Sequence, residues 1–232
     1  MDPAVISAVS CVEDSTDGLC LLHLTKAFGR NTAAQDVSFG IPHGDVFAPL
    51  GPNGASKLNT ISLIRGDIRP SHNGGDVLIE CLSITAHRAA ARSHLGVCPQ
   101  FGAMDSMTVS ARARGVPRIA ANISATLSAV GLDAFKNRMA NALSGNNKHK
   151  LSLAIALMGN PSVLLLDEPS SGMDAVAKCV MWKTLLGVVA PGRALFITNY
   201  STEDADTLAT RIGIMKGWML ALGTSRVLRN RE

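Results

Sequence analysis

The chain has 232 residues, of which 47% are hydrophobic and 17% charged, which is the composition of a globular protein and excludes a disordered one. Its 22 basic and 18 acidic residues are spread along the chain, so the net charge of +4 gives only weak support to a nucleic-acid surface. Five cysteines stand far apart without a CxxC pair, which suggests neither a disulfide framework nor a zinc site and favours a reducing compartment.

Hydropathy along the chain gives no sign of a membrane span or a secretory signal. The richest apolar run, LSLAIALMGNPSVLLLD, is broken by Asn160 and Pro161 and falls short of the roughly 18 uninterrupted apolar residues that a membrane helix needs. The N-terminus lacks a basic region followed by an apolar one. By itself the chain is expected to be soluble or peripheral.

The first third of the chain predicts strands that lead into a glycine-rich loop. Residues 1–18 are small and polar and are interpreted as a poorly ordered leader, with one folded domain over 19–232. Strand-like content follows in LCLLHLTKAF, AAQDVSFGIP and DVFAPL, and ISLIRG after the loop has helical potential. Pro49 is expected to interrupt the strand before the loop, because a central strand would lose an N–H donor there.

The remaining two thirds alternate between strand and helix. VLIECLSI and HLGVCPQ are strand-like, and the Ala- and Arg-rich part that follows favours a mostly helical lobe. Ser144 precedes a helix, SVLLLDEP and RALFITN predict buried strands on either side of another helix, and RIGIMKGWMLALG predicts two strands around a Lys-Gly turn. This alternation predicts an α/β fold with a largely parallel sheet.

Residues 51–60, GPNGASKLNT, partly match a phosphate loop, in which backbone N–H groups, a helix N-terminus and a lysine converge on an anion. Against the pattern GxxxxGK[ST], Gly51 and Lys57 match, whereas Ser56 replaces the second glycine and Leu58 replaces the hydroxyl residue. Taken alone, the loop is as readily explained by a chance match as by nucleotide binding.

The second candidate is LLLDEP, in which Asp167 and Glu168 follow a buried strand. Carboxylates at such an edge can orient Mg²⁺ and polarise a water molecule. The alternative is a strand that ends in a solvated acidic turn, and the two readings are equally open on this motif alone.

The order of the motifs decides between these alternatives. Upstream of the loop stands Phe28; after it come GVCPQ, LSGNN, LLLDEP, SGMD and TNYS in that order. This series resembles the ATP-binding cassette domain of ABC transporters from about Leu19 to Leu228. Within that family, CPQFGAMDSMTV, SGNNKHKLSLAIALMGNPSVLLLDEPSSGMD and RIGIMKGWMLALGT resemble the lipid-handling A subfamily most.

The resemblance implies a fold and a set of site residues. The fold would be α/β, with a P-loop NTPase core of mostly parallel sheet, an N-terminal antiparallel β part and a shortened helical lobe at about 101–145. The cofactors would be ATP and Mg²⁺. The ATP-binding residues would be Phe28, stacked on adenine, and Gly51, Asn53, Gly54, Ala55, Ser56, Lys57, Leu58 and Asn59 around the phosphates.

The remaining roles implied by the resemblance concern metal, catalysis and the partner. Gln100 and Asp167 would serve the metal, with Gln100 also coupling to the membrane part; Glu168 would be the catalytic base, and Tyr200 stands at the switch-histidine position. Contacts to ATP on a second, head-to-tail cassette would come from the signature residues Ser144, Gly145, Asn146 and Asn147, and Asp174 would communicate across that dimer.

Several of these positions depart from the family pattern. Leu58 has no oxygen for Mg²⁺, and Asn59 is a weak substitute one position late. Ser56 adds a Cβ where the family has glycine. Tyr200 offers a phenol in place of an imidazole. Asn146 replaces a signature glycine and is expected to be tolerated because asparagine adopts left-handed conformations readily.

The leading hypothesis is an ABC-type domain that binds ATP and Mg²⁺ and hydrolyses ATP weakly. Hydrolysis would be coupled to transport, with lipids as a candidate cargo, through a transmembrane partner at the cytoplasmic face of a membrane. The main alternative is a non-catalytic, degenerate cassette that serves as a dimer partner or structural module. A third alternative is a decaying or truncated gene product.

Overall fold

The described part of the chain covers most of the predicted domain. The computed structural model describes residues 17–52, 57–98, 107, 111–112, 114–189, 192–198 and 202–229, without the side chains of 202–204, 225 and 229. The predicted leader up to residue 16 lies outside this part, as do much of the segment 99–113 and the site candidates Asn53, Gly54, Ala55, Ser56, Gln100 and Tyr200.

Strands and helices alternate in the order that the sequence predicts. The strands are β1 (Leu19–Phe28), β2 (Asn31–Ile41), β3 (Val46–Leu50), β4 (Asp76–Ile79), β5 (Leu82–Ser83), β6 (Leu95–Cys98), β7 (Val163–Asp167), β8 (Ala194–Thr198), β9 (Arg211–Met215) and β10 (Met219–Gly223). The helices are α1 (Lys57–Ile64), α2 (Arg88–Ser93), α3 (Ile119–Ala129), α4 (Gly145–Leu157), α5 (Ala175–Val189), α6 (Thr202–Leu208) and α7 (Ser225–Arg229).

Two sheets organise these elements. An antiparallel sheet has the strand order β2-β1-β4-β5, and a six-stranded sheet has the order β10-β9-β3-β8-β7-β6. In the larger sheet the pairs from β9 to β6 are parallel, and β10 joins β9 antiparallel. The predicted α/β fold, with its mostly parallel core sheet and N-terminal antiparallel part, is therefore confirmed.

The parallel sheet is covered on both faces, which explains the continuous apolar runs of its strands. Along β7, Leu164 and Leu166 belong to a core that includes side chains of α4 and α5. Val163 and Leu165 belong to a second core, shared with the antiparallel sheet and α1. All four are at most 1% exposed. Alternation along the strand therefore supplies both cores.

Three stacked phenylalanines join the two sheets. The ring centroids of Phe39 on β2 and Phe47 on β3 are 4.3 Å apart, and those of Phe47 and Phe196 on β8 are 5.7 Å apart. Aromatic pairs at such distances add to the stabilisation that burial itself provides. The strand that feeds the glycine-rich loop is thereby fixed against both neighbours.

Pro49 does not interrupt its strand, contrary to the sequence expectation, because β3 runs through it to Leu50. The ladder with β9 includes Pro49, whereas the ladder with β8 is recorded only for Val46 and Phe47. The N–H and C=O of Val46 both bond to Thr210 beside β9. Because these groups alternate in direction along a strand, Pro49, three positions later, faces the opposite neighbour, β8. The missing donor thus falls where the β8 ladder has already ended.

The predicted strand VLIECLSI is divided into two. Glu80 and Cys81 have φ of 50° and 60°, which places them in the left-handed region and turns the chain between β4 and β5. The turn folds β5 back onto β4 as an antiparallel pair.

In the lobe, α3 is followed by short 3₁₀ turns at Asp133–Phe135 and Ala140–Ala142. Among the helices of the described residues, none has the length and apolar character required to span a membrane.

Candidate functional site

Polar side chains and the glycine-rich loop lie where parallel strands of the large sheet end. Gly51 follows β3, Asp167 ends β7 and Thr198 ends β8, which lies between β3 and β7 in the sheet. Asp167 and Thr198 face each other in the register of these two strands. The carboxyl ends of parallel strands are the usual place for ligand sites in open α/β sheets.

Lys57 begins α1 directly after the glycine-rich loop. Its ammonium group donates a hydrogen bond of 2.7 Å to the carbonyl oxygen of Gly51. Burial lowers the pKa of Lys57, and the negative charge of Glu168 opposes this shift by raising it. The loop lysine and the second acidic residue therefore lie within electrostatic reach of each other.

The two acidic residues differ in surroundings. Asp167 accepts a hydrogen bond of 2.6 Å at Oδ1 from the hydroxyl of Thr198. Glu168 is only 5% exposed, and its φ of 47° places it in the left-handed region, which is uncommon for residues other than glycine. Its N–H lies 3.1 Å from the carbonyl oxygen of Thr198 and 3.2 Å from the Thr198 hydroxyl.

Sequence reasoning missed Thr198. The residue stands at the end of RALFIT, one of the two buried strands that the sequence predicts, so a polar residue at this edge was a usable signal. The candidate that the sequence predicts in this segment is Tyr200, two positions later, which lies outside the described residues.

The first turn of α1 suits phosphate better than metal. An ammonium group and a helix N-terminus suit an anion. For Mg²⁺, which prefers oxygen ligands, Asp167 offers a carboxylate. Leu58, in contrast, is 61% exposed and offers no oxygen, and the next hydroxyl in the helix, that of Thr60, is fully buried.

The signature residues occupy the first turn of α4. Ser144 is its N-cap, and the Ser144 hydroxyl accepts a hydrogen bond of 3.4 Å from the N–H of Asn147. Asn146 is helical and is absent from the described residues with positive φ, so the left-handed conformation that was expected to accommodate it is not used. That expectation was wrong because residue 146, where the family pattern has glycine, has ordinary helical backbone geometry.

Asp174 joins the signature turn to the start of α5. The Asp174 carboxylate accepts a hydrogen bond of 2.9 Å from the N–H of Ala177 and one of 3.3 Å from the Asn146 amide. The bond from Ala177, followed by the bond from Asn146, lowers the pKa of Asp174. Two motifs 28 residues apart therefore form one exposed polar surface.

Phe28 ends β1 in the antiparallel sheet, whereas Lys57 and Asp167 belong to the edge of the parallel sheet. Its side chain is 49% exposed, and the ammonium of Lys26 lies 5.0 Å from the ring centroid. An exposed aromatic face of this kind can stack on a planar ligand.

A lysine that opens a helix, beside carboxylates at the edge of a parallel sheet, is the arrangement of P-loop nucleotide-binding proteins. The model of the family described as "ABC transporter" matches residues 34–171. The chain belongs to this family and has the form of its ATP-binding domain. A solved ATP-binding subunit of an ABC transporter has the same fold, with a TM-score of 0.81 at 21% identity over 92% of each chain.

Curated relatives at higher identity are much longer proteins. The chain is 38% identical to ATP-binding cassette sub-family A member 7 of Mus musculus over 227 residues, which is 93% of this chain and 10% of that protein. It is 37% identical to the retinal-specific phospholipid-transporting ATPase ABCA4 of Bos taurus, over 94% of this chain and 10% of that protein. The chain thus spans about a tenth of the length of these relatives, which belong to the predicted A subfamily.

Proposed function

We propose that this chain binds ATP at the carboxyl edge of β3, β8 and β7 and hydrolyses it slowly. The observation that carries the proposal is geometric: Lys57, bonded to Gly51 at the end of β3, lies at the same edge of the sheet as the acidic end of β7, one strand away. A lysine charge next to a helix N-terminus attracts phosphate, and a buried carboxylate at the same edge of the sheet has the chemistry to accept a proton from water.

Each site residue that the sequence predicts has a proposed task, whether or not it lies among the described residues. Lys57 and Gly51, with Asn53, Gly54, Ala55, Ser56 and Asn59 of the same loop and helix, would hold the phosphates, and Phe28 would stack on the base. Glu168 would act as the base. Asp167, with Gln100, would hold Mg²⁺, which supplies charge neutralisation of the phosphates when bound. Because Leu58 contributes no oxygen, metal is expected to add little to ATP affinity.

The partner and the setting are part of the same proposal. Ser144, Gly145, Asn147 and Asp174 lie at the starts of α4 and α5, and an exposed helix N-terminus suits phosphate held by another molecule. We therefore propose a head-to-tail pair with a second cassette. Membership of the ABC transporter family supports a transmembrane partner, for which we propose a position at the cytoplasmic face of a membrane. The name of the phospholipid-transporting relative supports phospholipid as the cargo class.

Equilibrium ATP binding by the purified chain tests the binding proposal. Lys57→Ala is expected to weaken ATP binding at least about tenfold, because a charged group that contacts phosphate is lost. Lys183→Ala is the matched control, since it removes the same charge from an exposed position on α5. Equal binding by the wild-type chain, Lys57→Ala and Lys183→Ala would rule out this loop as the site.

Turnover is tested separately. Phosphate release by the wild-type chain is expected to be slow, dependent on Mg²⁺ and absent in Glu168→Gln, which keeps the size of the side chain but loses the base. ATP binding should survive this substitution.

A second candidate function is that of a non-catalytic partner cassette. One contrast favours it: the position after Lys57 holds Leu58, which has no hydroxyl for metal, whereas the signature turn of α4 is capped and exposed. This function predicts no phosphate release from the chain alone. It also predicts that an intact cassette turns over ATP faster with the wild-type chain than with a Ser144→Ala variant.

A further inference from the structure

We infer that Thr198 is a positioning residue for the two acidic side chains, a role that neither the family motifs nor the sequence assigned. The inference rests on the proposed function, since it concerns the groups that would serve metal and water there. One hydroxyl, at the end of β8, contacts both Asp167 and Glu168.

The proton of this hydroxyl has one short acceptor. Thr198 is 3% exposed, so water competes poorly for its hydroxyl. Oδ1 of Asp167 lies at 2.6 Å, whereas the carbonyl oxygen of Leu166 lies at 3.5 Å. The proton therefore goes to the carboxylate, and a hydrogen bond to an ionised acceptor is among the stronger kinds.

The oxygen of the same hydroxyl remains free to accept. The N–H of Glu168 donates a bifurcated hydrogen bond to this oxygen, at 3.2 Å, and to the Thr198 carbonyl oxygen, at 3.1 Å. The Thr198 hydroxyl thus fixes the side chain of one acidic residue and the backbone of the next.

Glu168 needs such support because of its backbone conformation. A glutamate at φ 47° is in a region that L residues avoid, and it persists only when neighbouring bonds hold it. On its other side the Glu168 carbonyl oxygen accepts from the N–H of Ser171 at 3.1 Å. The Thr198 hydroxyl accepts from the N–H of Glu168 and so supports the other side of this residue.

The position of β8 makes this anchor central to the site. β8 lies between β3, which leads to the loop, and β7, which ends in the acidic pair. On the loop side, Leu58 has no group that can donate to Asp167. The described donor that orients this carboxylate is the Thr198 hydroxyl.

The first test needs no nucleotide. Thr198→Val keeps the β-branched shape without the hydroxyl, and Thr198→Ser keeps the hydroxyl. We expect the Glu168 amide of the full chain to exchange with deuterium at least about twofold faster in Thr198→Val, the lower end of what one net hydrogen bond supports because the N–H keeps its bond to the Thr198 carbonyl, and at the wild-type rate in Thr198→Ser. Wild-type exchange in Thr198→Val would overturn the inference, as would faster exchange throughout β7 and β8, which a merely structural role predicts.

The second test uses ATP turnover. Thr198→Val should lower kcat about tenfold or more without changing KM, and Thr198→Ser should restore it, because orientation of the acidic pair matters for chemistry rather than for phosphate binding. An unchanged kcat, or an equal change in KM, contradicts the inference. A wild-type chain that shows no turnover counts against the proposed function alone, and amide exchange then decides the role of Thr198.

Discussion

Replacing Leu58 by threonine should make ATP binding depend on Mg²⁺ much more strongly than it does in the wild-type chain. Leu58 lies in the first turn of α1, next to Lys57, and 61% of it is exposed. A threonine there would place a hydroxyl oxygen, a ligand that Mg²⁺ accepts, where the wild-type chain has only carbon. Asp167 remains available as the carboxylate.

The structure limits the side effects of this change. Because Leu58 is largely exposed, its replacement opens no cavity, and the loss in helix propensity is at most about 0.5 kcal/mol. A change in the ligand shell of a metal alters its affinity by about 10- to 100-fold, and a tenfold change is worth about 1.4 kcal/mol. The expected gain in free energy of metal binding, about 1.4 kcal/mol or more, therefore exceeds the expected loss in helix stability, at most about 0.5 kcal/mol.

The assay is equilibrium ATP binding with Mg²⁺ and with chelator, expressed as the ratio of the two affinities. Leu58→Val is the matched control, since valine has the shape and the β-branching of threonine without the hydroxyl. The ratio should stay near the wild-type value in Leu58→Val and rise at least about tenfold in Leu58→Thr. Equal ratios in the two variants, or a large ratio in the wild-type chain, would refute the reasoning.

Three further predictions concern stability. Ser144→Ala should lower the free energy of unfolding in urea by about 0.5–1 kcal/mol through loss of the α4 cap, and Ser144→Asp should not; equal losses would contradict a capping role. Burial lowers the pKa of His149 below 6.5, so the unfolded chain binds more protons and stability falls as pH drops below that value. The melting temperature should decline less from about pH 7.5 to about pH 5 in His149→Gln, and parallel profiles would count against this. In Gly213→Ala the new Cβ would lie 2.6 Å from Cζ of Phe47, so we expect a loss of about 1–3 kcal/mol that is smaller in a Phe47→Leu background; additive losses in the double variant would disprove the clash.

Strands and their edges could be predicted because burial on two faces leaves a plain signal. Val163 to Leu166 form an uninterrupted apolar run, and the acidic residues that follow mark its carboxyl end. Parallel strands end at one edge, so in the structure the strand ends marked by the glycine-rich loop and by Asp167 lie at the same side of the sheet. The order of the motifs then identified the family.

Contacts that depend on neighbouring strands or on local strain could not be predicted in the same way. The Thr198 bond to Asp167 joins residues 31 apart, and the Asn146 bond to Asp174 joins residues 28 apart, so neither follows from spacing along the chain. Glu80 is not a typical turn residue, and its positive φ reflects the pairing of β4 with β5. The effect of Pro49 depended on which neighbouring strand its nitrogen faces.

The distribution of departures argues against general decay of the chain. Relaxed constraint would place polar or ill-fitting residues in the buried strands as often as at the ligand edge. Instead Phe39, Phe47 and Phe196 are fully buried and stacked, and β7 keeps four side chains at most 1% exposed. The described departures at Leu58 and Asn146 lie at exposed or half-exposed positions that would meet ligand or partner. Pro49 lies in a buried strand, but β3 runs through it and its nitrogen faces β8 only beyond the end of their ladder. We therefore expect one cooperative unfolding transition together with a weak metal response, and a broad, non-cooperative transition would reverse this conclusion.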